Sequence, residues 1–234
     1  MTQPRHMQQM VLDIGMASGP TLHNYFPGAN EAALRHLQLW AGPETSQTTR
    51  SPVPSYIWGP SGSGKTHLLK AVRESLREQG AVVGWLDPSE LSPPEFDERW
   101  AAILMDDVHL FNAEQQHAAF KWFVNAQTWQ RWVLGAGDAP PASLQLRDDL
   151  RTRLGWGHIY ALHLLNEDER RAVLRSEAEA RGLELSTEVM DFMLKRFSRD
   201  LGSLMQLLDH LDRFAMQTQR GLTIPLIKSM LENL

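Results

Sequence analysis

Short apolar runs and longer amphipathic stretches take turns through the middle of the chain. The runs SYIWG, AVVGWL, AAILMDD, RWVLGAG and HIYALHLL have the length and residue types of buried strands. The stretches between them follow a helical period. GKTHLLKAVRESLREQG puts Leu68, Leu69, Val72 and Leu76 on one face and stops at Gly80. NAEQQHAAFKWFVNAQTWQ turns Phe120, Phe123 and Val124 inward, and LRDDLRTRL is a short helix. Ahead of the first strand, Leu34, Leu37 and Leu39 mark a helix from Asn30 to the Gly42-Pro43 stop. Strands alternating with helices predict an α/β fold with a parallel five-stranded sheet covered on both faces.

After residue 164 the strand-like runs cease. NEDERRAVLRSEAEARG opens with Asn166 and Glu169 in a capping-box spacing and ends at Gly182. STEVMDFMLKRF carries Val189, Phe192, Met193 and Phe197 at helical spacing. RDLGSLMQLLDHLDRFAMQTQRG carries Leu201, Leu204, Leu208, Leu211 and Ala215. TIPLIKSMLENL starts on Thr223 as a cap, with Pro225 in its first turn. The expected organisation is a tail over 1–20, an α/β domain over 21–163 and a small all-α lid over 164–234. The polar, proline-bearing segment 42–55 is expected to be a surface insertion.

Composition narrows the classes. With 234 residues the chain has ample length to bury a core. Its net charge of −5 does not advertise a nucleic-acid binder, so contact with DNA is expected to be indirect. The absence of cysteine rules out a disulfide scaffold and fits a reducing cytoplasm. No run of about 18 apolar residues suggests a membrane span, and the broken apolar run at the N-terminus is unlike a secretory signal.

The chemistry begins at GPSGSGKT, 59–66, a complete G-x-x-x-x-G-K-[ST] phosphate loop between a strand and an amphipathic helix. The residues Gly59, Pro60, Ser61, Gly62, Ser63, Gly64, Lys65 and Thr66 suit ADP or ATP with Mg²⁺. Glycines let backbone N–H groups surround phosphate oxygens, and the helix N-terminus adds partial positive charge. Lys65 is placed to reach the outer phosphates and Thr66 to offer a hydroxyl to Mg²⁺. The strand AAILMDD ends in Asp106 and Asp107. In open α/β sheets that end faces the ligand. Asp106 is expected to hold Mg²⁺ through water, and Asp107 to polarise an attacking water.

A phosphate-loop domain followed by a helical lid resembles the AAA+ ATPases. That resemblance implies a polar γ-phosphate sensor at Asp138 in VLGAGDAPP and a nucleotide-sensing lid arginine at Arg199. It also implies an arginine finger on the short helix of LRTRLGWG, a device worth about 10³–10⁵ in rate. Spacing alone leaves Arg147, Arg151 and Arg153 as candidates.

Together, NYFPGAN, GPSGSGKTHLL, the paired acids, the Asp-type sensor and LRTRLGWG are similar to the replication-initiator DnaA family, from about Tyr25 onward. The resemblance implies an adenine-side segment at Tyr25, Phe26 and Pro27, a nucleotide contact at His67, and Arg153 as the finger. The initiators continue into a helix-turn-helix DNA-binding domain, for which these residues hold no counterpart. The lid segments FMLKRFSRDLGSLMQLLDHLDR and QRGLTIPLIKSML resemble Hda, the DnaA-homologous regulators. That family usually reads Gly-Asp-Arg-Pro at the sensor, whereas Ala139 stands here in place of the arginine.

The Hda resemblance also gives a reading of MQQMVLDI at the N-terminus. Such proteins dock on the sliding clamp (the DNA polymerase III beta subunit) through a short peptide. Gln9, Met10, Leu12 and Ile14 fit its order of glutamine, aliphatic, leucine and apolar residues. The expected function is regulatory inactivation of DnaA on DNA-loaded clamp, with Arg153 acting in trans, weak ATPase activity of its own and self-association through the AAA+ face. The competing readings are an autonomous ATPase of the helicase-loader type and an adaptor whose nucleotide only stabilises the fold.

Overall fold

In the computed structural model the described residues are 19–42, 52–196, 201–218 and 223–232. A 3-10 turn at Gly28–Asn30 leads into α1 (Glu31–Ala41). Then come β1 (Ser55–Trp58), α2 (Lys65–Glu78), β2 (Val82–Leu86), β3 (Trp100–Met105) and α3 (Ala113–Thr128). β4 (Trp132–Gly137), α4 (Asp148–Leu154) and β5 (His158–Ala161) complete the α/β part. Four helices follow: α5 (Glu167–Ala180), α6 (Thr187–Arg196), α7 (Leu201–Thr218) and α8 (Ile224–Glu232).

All five strands pair in parallel, in the order β2-β3-β4-β1-β5. The α/β fold with a parallel five-stranded sheet is therefore as the alternating pattern predicts. This order places the C-terminal ends of β3, β4 and β1 side by side, so the phosphate loop, the paired acids and the turn carrying Asp138 meet at one edge. The chain leaves β1 in one direction and returns to its other flank as β5, making β1 the switch point where ligands bind in such sheets.

Because both faces are covered, neighbouring residues on a strand enter opposite cores. Ile57, Leu104 and Leu134 pack with α1 and α2. Tyr56, Ile103 and Val133 pack with α3 and α4. The lid has its own core of Leu174, Val189, Met190, Met193, Leu204, Leu211 and Ile227.

Some helical faces differ from the expected ones. On α3, Phe123 is buried, but Phe120 and Val124 are half-buried and Trp122 takes the inward place. Its indole N–H donates to the Pro94 carbonyl at 2.9 Å, so an apparently amphipathic side chain is satisfied indoors. On α1, Leu34, Leu37 and Trp40 are buried while Leu39 is 73 % exposed. The predicted last strand is also shorter, ending at Ala161 rather than running to Leu165. Beyond it, the Asn30 side chain occupies both backbone groups of His163, in place of a neighbouring strand.

Helix α3 starts in a complete capping box. The Asn112 side chain accepts from the Gln115 N–H, and the Gln115 side chain accepts from the Asn112 N–H. The buried Gln115 amide also donates to the carbonyls of Pro88 and Glu90, tying the β2–β3 connection to the helix. Asn112→Ala is expected to cost about 1 kcal/mol, measured as a lower midpoint in urea with unchanged slope.

Candidate functional site: a phosphate loop at the end of β1

The loop 59–66 links β1 to α2 through two glycines in the left-handed region, Gly62 at φ 82° and Gly64 at φ 90°. Gly64 is also a close approach. A Cβ there would lie 2.6 Å from the Tyr25 ring. Pro60 and Ser61 are exposed, whereas Ser63 and Lys65 are buried. The Lys65 ammonium donates to the carbonyls of Gly59 at 2.8 Å and Pro60 at 3.1 Å. The Ser63 hydroxyl is buried with no hydrogen-bond partner, an orphan that a ligand oxygen would satisfy.

Asp106 ends β3 and is 4 % exposed. Burial raises its pKa, the Thr66 hydroxyl opposes this with a hydrogen bond, the Asp107 charge raises it further, and Lys65 acts the other way. Asp107 is held at φ 46°, ψ 45° and donates its N–H to Asp106 Oδ1 at 3.0 Å. A left-handed aspartate costs conformational energy, here spent turning the chain immediately after the acid pair. Asp138 emerges from β4 with a half-exposed side chain, and its Oδ2 lies 3.9 Å from Nε2 of His109. The turn beyond it is fixed by the Tyr56 hydroxyl, which donates to the Ala139 carbonyl at 3.0 Å. Tyr56 lies against Gly135 and Gly137. A Cβ at Gly137 would meet its hydroxyl at 2.1 Å.

These residues fit a phosphate group with a divalent cation. Lys65 supplies positive charge, Thr66 a hydroxyl, Asp106 a carboxylate, and the loop a row of N–H groups. Among the described residues no cluster of three or more His, Asp or Glu side chains could hold a metal alone. Mg²⁺ at Thr66 and Asp106 would therefore depend on phosphate oxygens and water.

One side of the loop is walled by the segment before α1. Tyr25 is buried, its hydroxyl donates to the Ser63 carbonyl at 3.2 Å, and burial pushes its pKa up to about 12. Its ring lies 5.6 Å from that of His67. Burial lowers the His67 pKa, while a hydrogen bond to the Thr21 carbonyl and the Glu177 charge on α5 act in the opposite direction. Phe26 is 39 % exposed and Pro27 half-buried. Asn30 is a member of this wall that sequence reasoning misses. An asparagine at a helix start reads as a cap, yet its side chain makes no capping bond.

The three arginines at and on α4 have different surroundings. Arg147 pairs with Asp149 at 2.6 Å, and Arg151 with Asp148 at 2.7 Å. Arg153 has no carboxylate partner among the described residues. Its guanidinium lies over Phe120 at 5.2 Å, Trp156 at 5.1 Å and Phe123 at 5.9 Å. The structure thus gathers the loop, the acids, Asp138, Tyr25 and His67 at one edge, and seats Arg153 on α3 aromatics. Arg199, and Gln9, Met10, Leu12 and Ile14, lie outside the described residues.

Residues 167–231 match the family model described as "Hda, lid domain". An uncharacterized protein of Haemophilus influenzae is 33 % identical over 233 residues, covering 96 % of this chain and 98 % of its own. Domain III of the Thermotoga maritima replication initiation protein DnaA superposes with a TM-score of 0.70 at 20 % identity, over 95 % of this chain and 97 % of that one. AMPPCP-bound DnaA from Aquifex aeolicus gives 0.67 at 22 % identity, over 84 % of this chain and 65 % of that one. At such identities the structural likeness speaks for the fold, and the lid and the Haemophilus relative speak for descent. The chain belongs to one family with the Haemophilus protein, and it joins an Hda lid domain over residues 167–231 to the AAA+ fold of DnaA domain III.

Proposed function

We propose that this protein is a nucleotide-bound regulator that inactivates DnaA by promoting hydrolysis of the initiator's ATP. The observation that carries the reading is the Arg153 guanidinium, free of carboxylates among the described residues and beside an exposed Trp156. A charge left unneutralised at a domain surface is suited to a partner's phosphates. In this reading α4 meets the nucleotide site of ATP-bound DnaA, and Arg153 leaves its aromatic seat to stabilise charge developing on the transferred phosphoryl group.

The protein's own loop binds ADP or ATP, as the AMPPCP complex of the Aquifex relative supports, with Mg²⁺ at Thr66 and Asp106. Lys65 exchanges loop carbonyls for phosphate oxygens, Asp138 and Arg199 sense the nucleotide, and Tyr25, Phe26, Pro27 and His67 line the base side. Asp107 provides for slow turnover by the protein itself. The protein is cytoplasmic and reaches DNA through the sliding clamp, by Gln9, Met10, Leu12 and Ile14. Tethering raises its effective concentration near DNA-bound initiator.

The test is hydrolysis of DnaA-bound ATP with and without DNA-loaded clamp. Stimulation is expected only when clamp is loaded, and Gln9→Ala with Leu12→Ala should reduce it at least about tenfold by removing the tether. Stimulation indifferent to clamp would remove the tail from the mechanism. Rapid ATP turnover by this protein alone, without DnaA, would favour an autonomous ATPase of the helicase-loader type.

A further inference from the structure

Asn30 is 3 % exposed, and its amide makes three hydrogen bonds. Its Oδ1 accepts from the His163 N–H at 2.7 Å, and its Nδ2 donates to the His163 carbonyl at 2.9 Å. The second Nδ2 hydrogen goes to the Tyr25 hydroxyl at 3.1 Å. That hydroxyl in turn donates to the Ser63 carbonyl in the phosphate loop at 3.2 Å. Both amide donors and one acceptor position are used, so the orientation of the amide is dictated by its partners. From the His163 N–H the bonds run through the Asn30 amide and the Tyr25 hydroxyl to the Ser63 carbonyl, each of the two side chains accepting one bond and donating the next, an arrangement whose members strengthen one another.

The two ends of this chain are functionally distinct places. Ser63 sits in the phosphate loop, with a buried hydroxyl lacking a partner. His163 lies in the connection between β5 and the first lid helix, α5. The turn carrying Asn30 touches that helix as well. A Cβ at Gly28, which stands at φ 49°, would come within 2.9 Å of both Glu169 Oε1 and Leu165 Cδ2. Nothing in helix formation demands an asparagine at position 30, because its side chain caps no helix.

We infer that Asn30 is a positioning residue for the nucleotide site, acting through Tyr25, and that it couples the phosphate loop to the hinge of the lid. The inference rests on the nucleotide-binding reading above. Occupancy of the loop fixes Ser63, Ser63 fixes the Tyr25 hydroxyl, and Asn30 passes that constraint to the backbone at His163. The lid hinge is therefore tighter when nucleotide is bound.

The test uses the full chain with fluorescent ADP, and amide hydrogen exchange with and without ADP. Asn30→Asp keeps size and the acceptor but removes both donors. It is expected to weaken ADP binding about tenfold, mostly through faster release, which corresponds to about 1.4 kcal/mol. Tyr25→Phe keeps the ring and removes only the relay, so it also serves should Asn30→Asp not fold. In the unmodified protein ADP should slow exchange at the His163 amide. In Tyr25→Phe, ADP should still protect the phosphate loop but no longer protect His163. Combining the two substitutions should weaken binding no further than Asn30→Asp alone. Equal protection of His163 by ADP in Tyr25→Phe would overturn the coupling, as would unchanged ADP affinity in a folded Asn30→Asp protein. Failure of the unmodified protein to bind ADP would instead overturn the nucleotide reading on which the inference stands.

Discussion

Replacing Arg153 with alanine is expected to lower the rate of hydrolysis of DnaA-bound ATP by about 10³-fold or more, the scale of an arginine finger supplied in trans. Folding and nucleotide binding should change little. Alanine forfeits only the stacking of the guanidinium on aromatic rings, worth about 0.5–1 kcal/mol per ring at an accessible site. Arg153→Lys should recover only a small part, because an ammonium lacks the planar fork that meets phosphate oxygens in pairs. Arg147→Ala and Arg151→Ala are the comparators. Each breaks a surface ion pair with Asp149 or Asp148, an interaction of about 0–1 kcal/mol, and each should leave the rate within about tenfold. Single-turnover release of phosphate from preloaded DnaA checks all four variants. Full activity of Arg153→Ala would sink the finger assignment, and loss on Arg151→Ala alone would move it back along α4 to that residue.

The second large effect is structural. Gly157→Ala should destabilise the protein by about 3 kcal/mol, at the upper end of overpacking costs, read as a lowered urea midpoint. A Cβ at Gly157 would stand 1.8 Å from the Pro54 carbonyl oxygen and 2.7 Å from its carbon. Both obstacles are backbone, so no rotamer change can relieve them. The same carbonyl accepts the His158 N–H at 2.9 Å, the first bond that docks β5 beside β1. Moving Pro54 aside would undo that dock and disturb the register Ser55↔His158. The damage should spread to Asn30 and Tyr25, since His163, to which Asn30 is bonded, follows on the same strand exit. A variant with wild-type stability would mean that the 157 turn relaxes without β1.

Much of this molecule can be read from its residues in order, and the reasons for the exceptions are physical. The phosphate loop, the strand–helix alternation and the acid pair are local patterns, so composition over a dozen residues suffices. The face of α3 is not legible in this way, because Trp122 reads as amphipathic until Pro94 is seen to accept its N–H. The end of β5 misleads for a similar reason. LHLL looks like continuing strand, and only Asn30, 133 residues earlier in the chain, accounts for the stop. Which of Arg147, Arg151 and Arg153 pairs with a carboxylate is not legible from spacing either. The acids are Asp148 and Asp149, close by in sequence, yet adjacency alone does not tell which side chains turn toward each other.

Tyr56 grips residue 139 by its carbonyl oxygen, not by its side chain, and two glycines on β4 make room for that grip. A main-chain handle is the same for every amino acid. The path that presents Asp138 is therefore written by Tyr56 and the bare stretch of β4, and the identity of residue 139 is left open to drift. Whatever side chain stands there, as alanine does in this chain, the aspartate beside it is aimed by the same hydrogen bond.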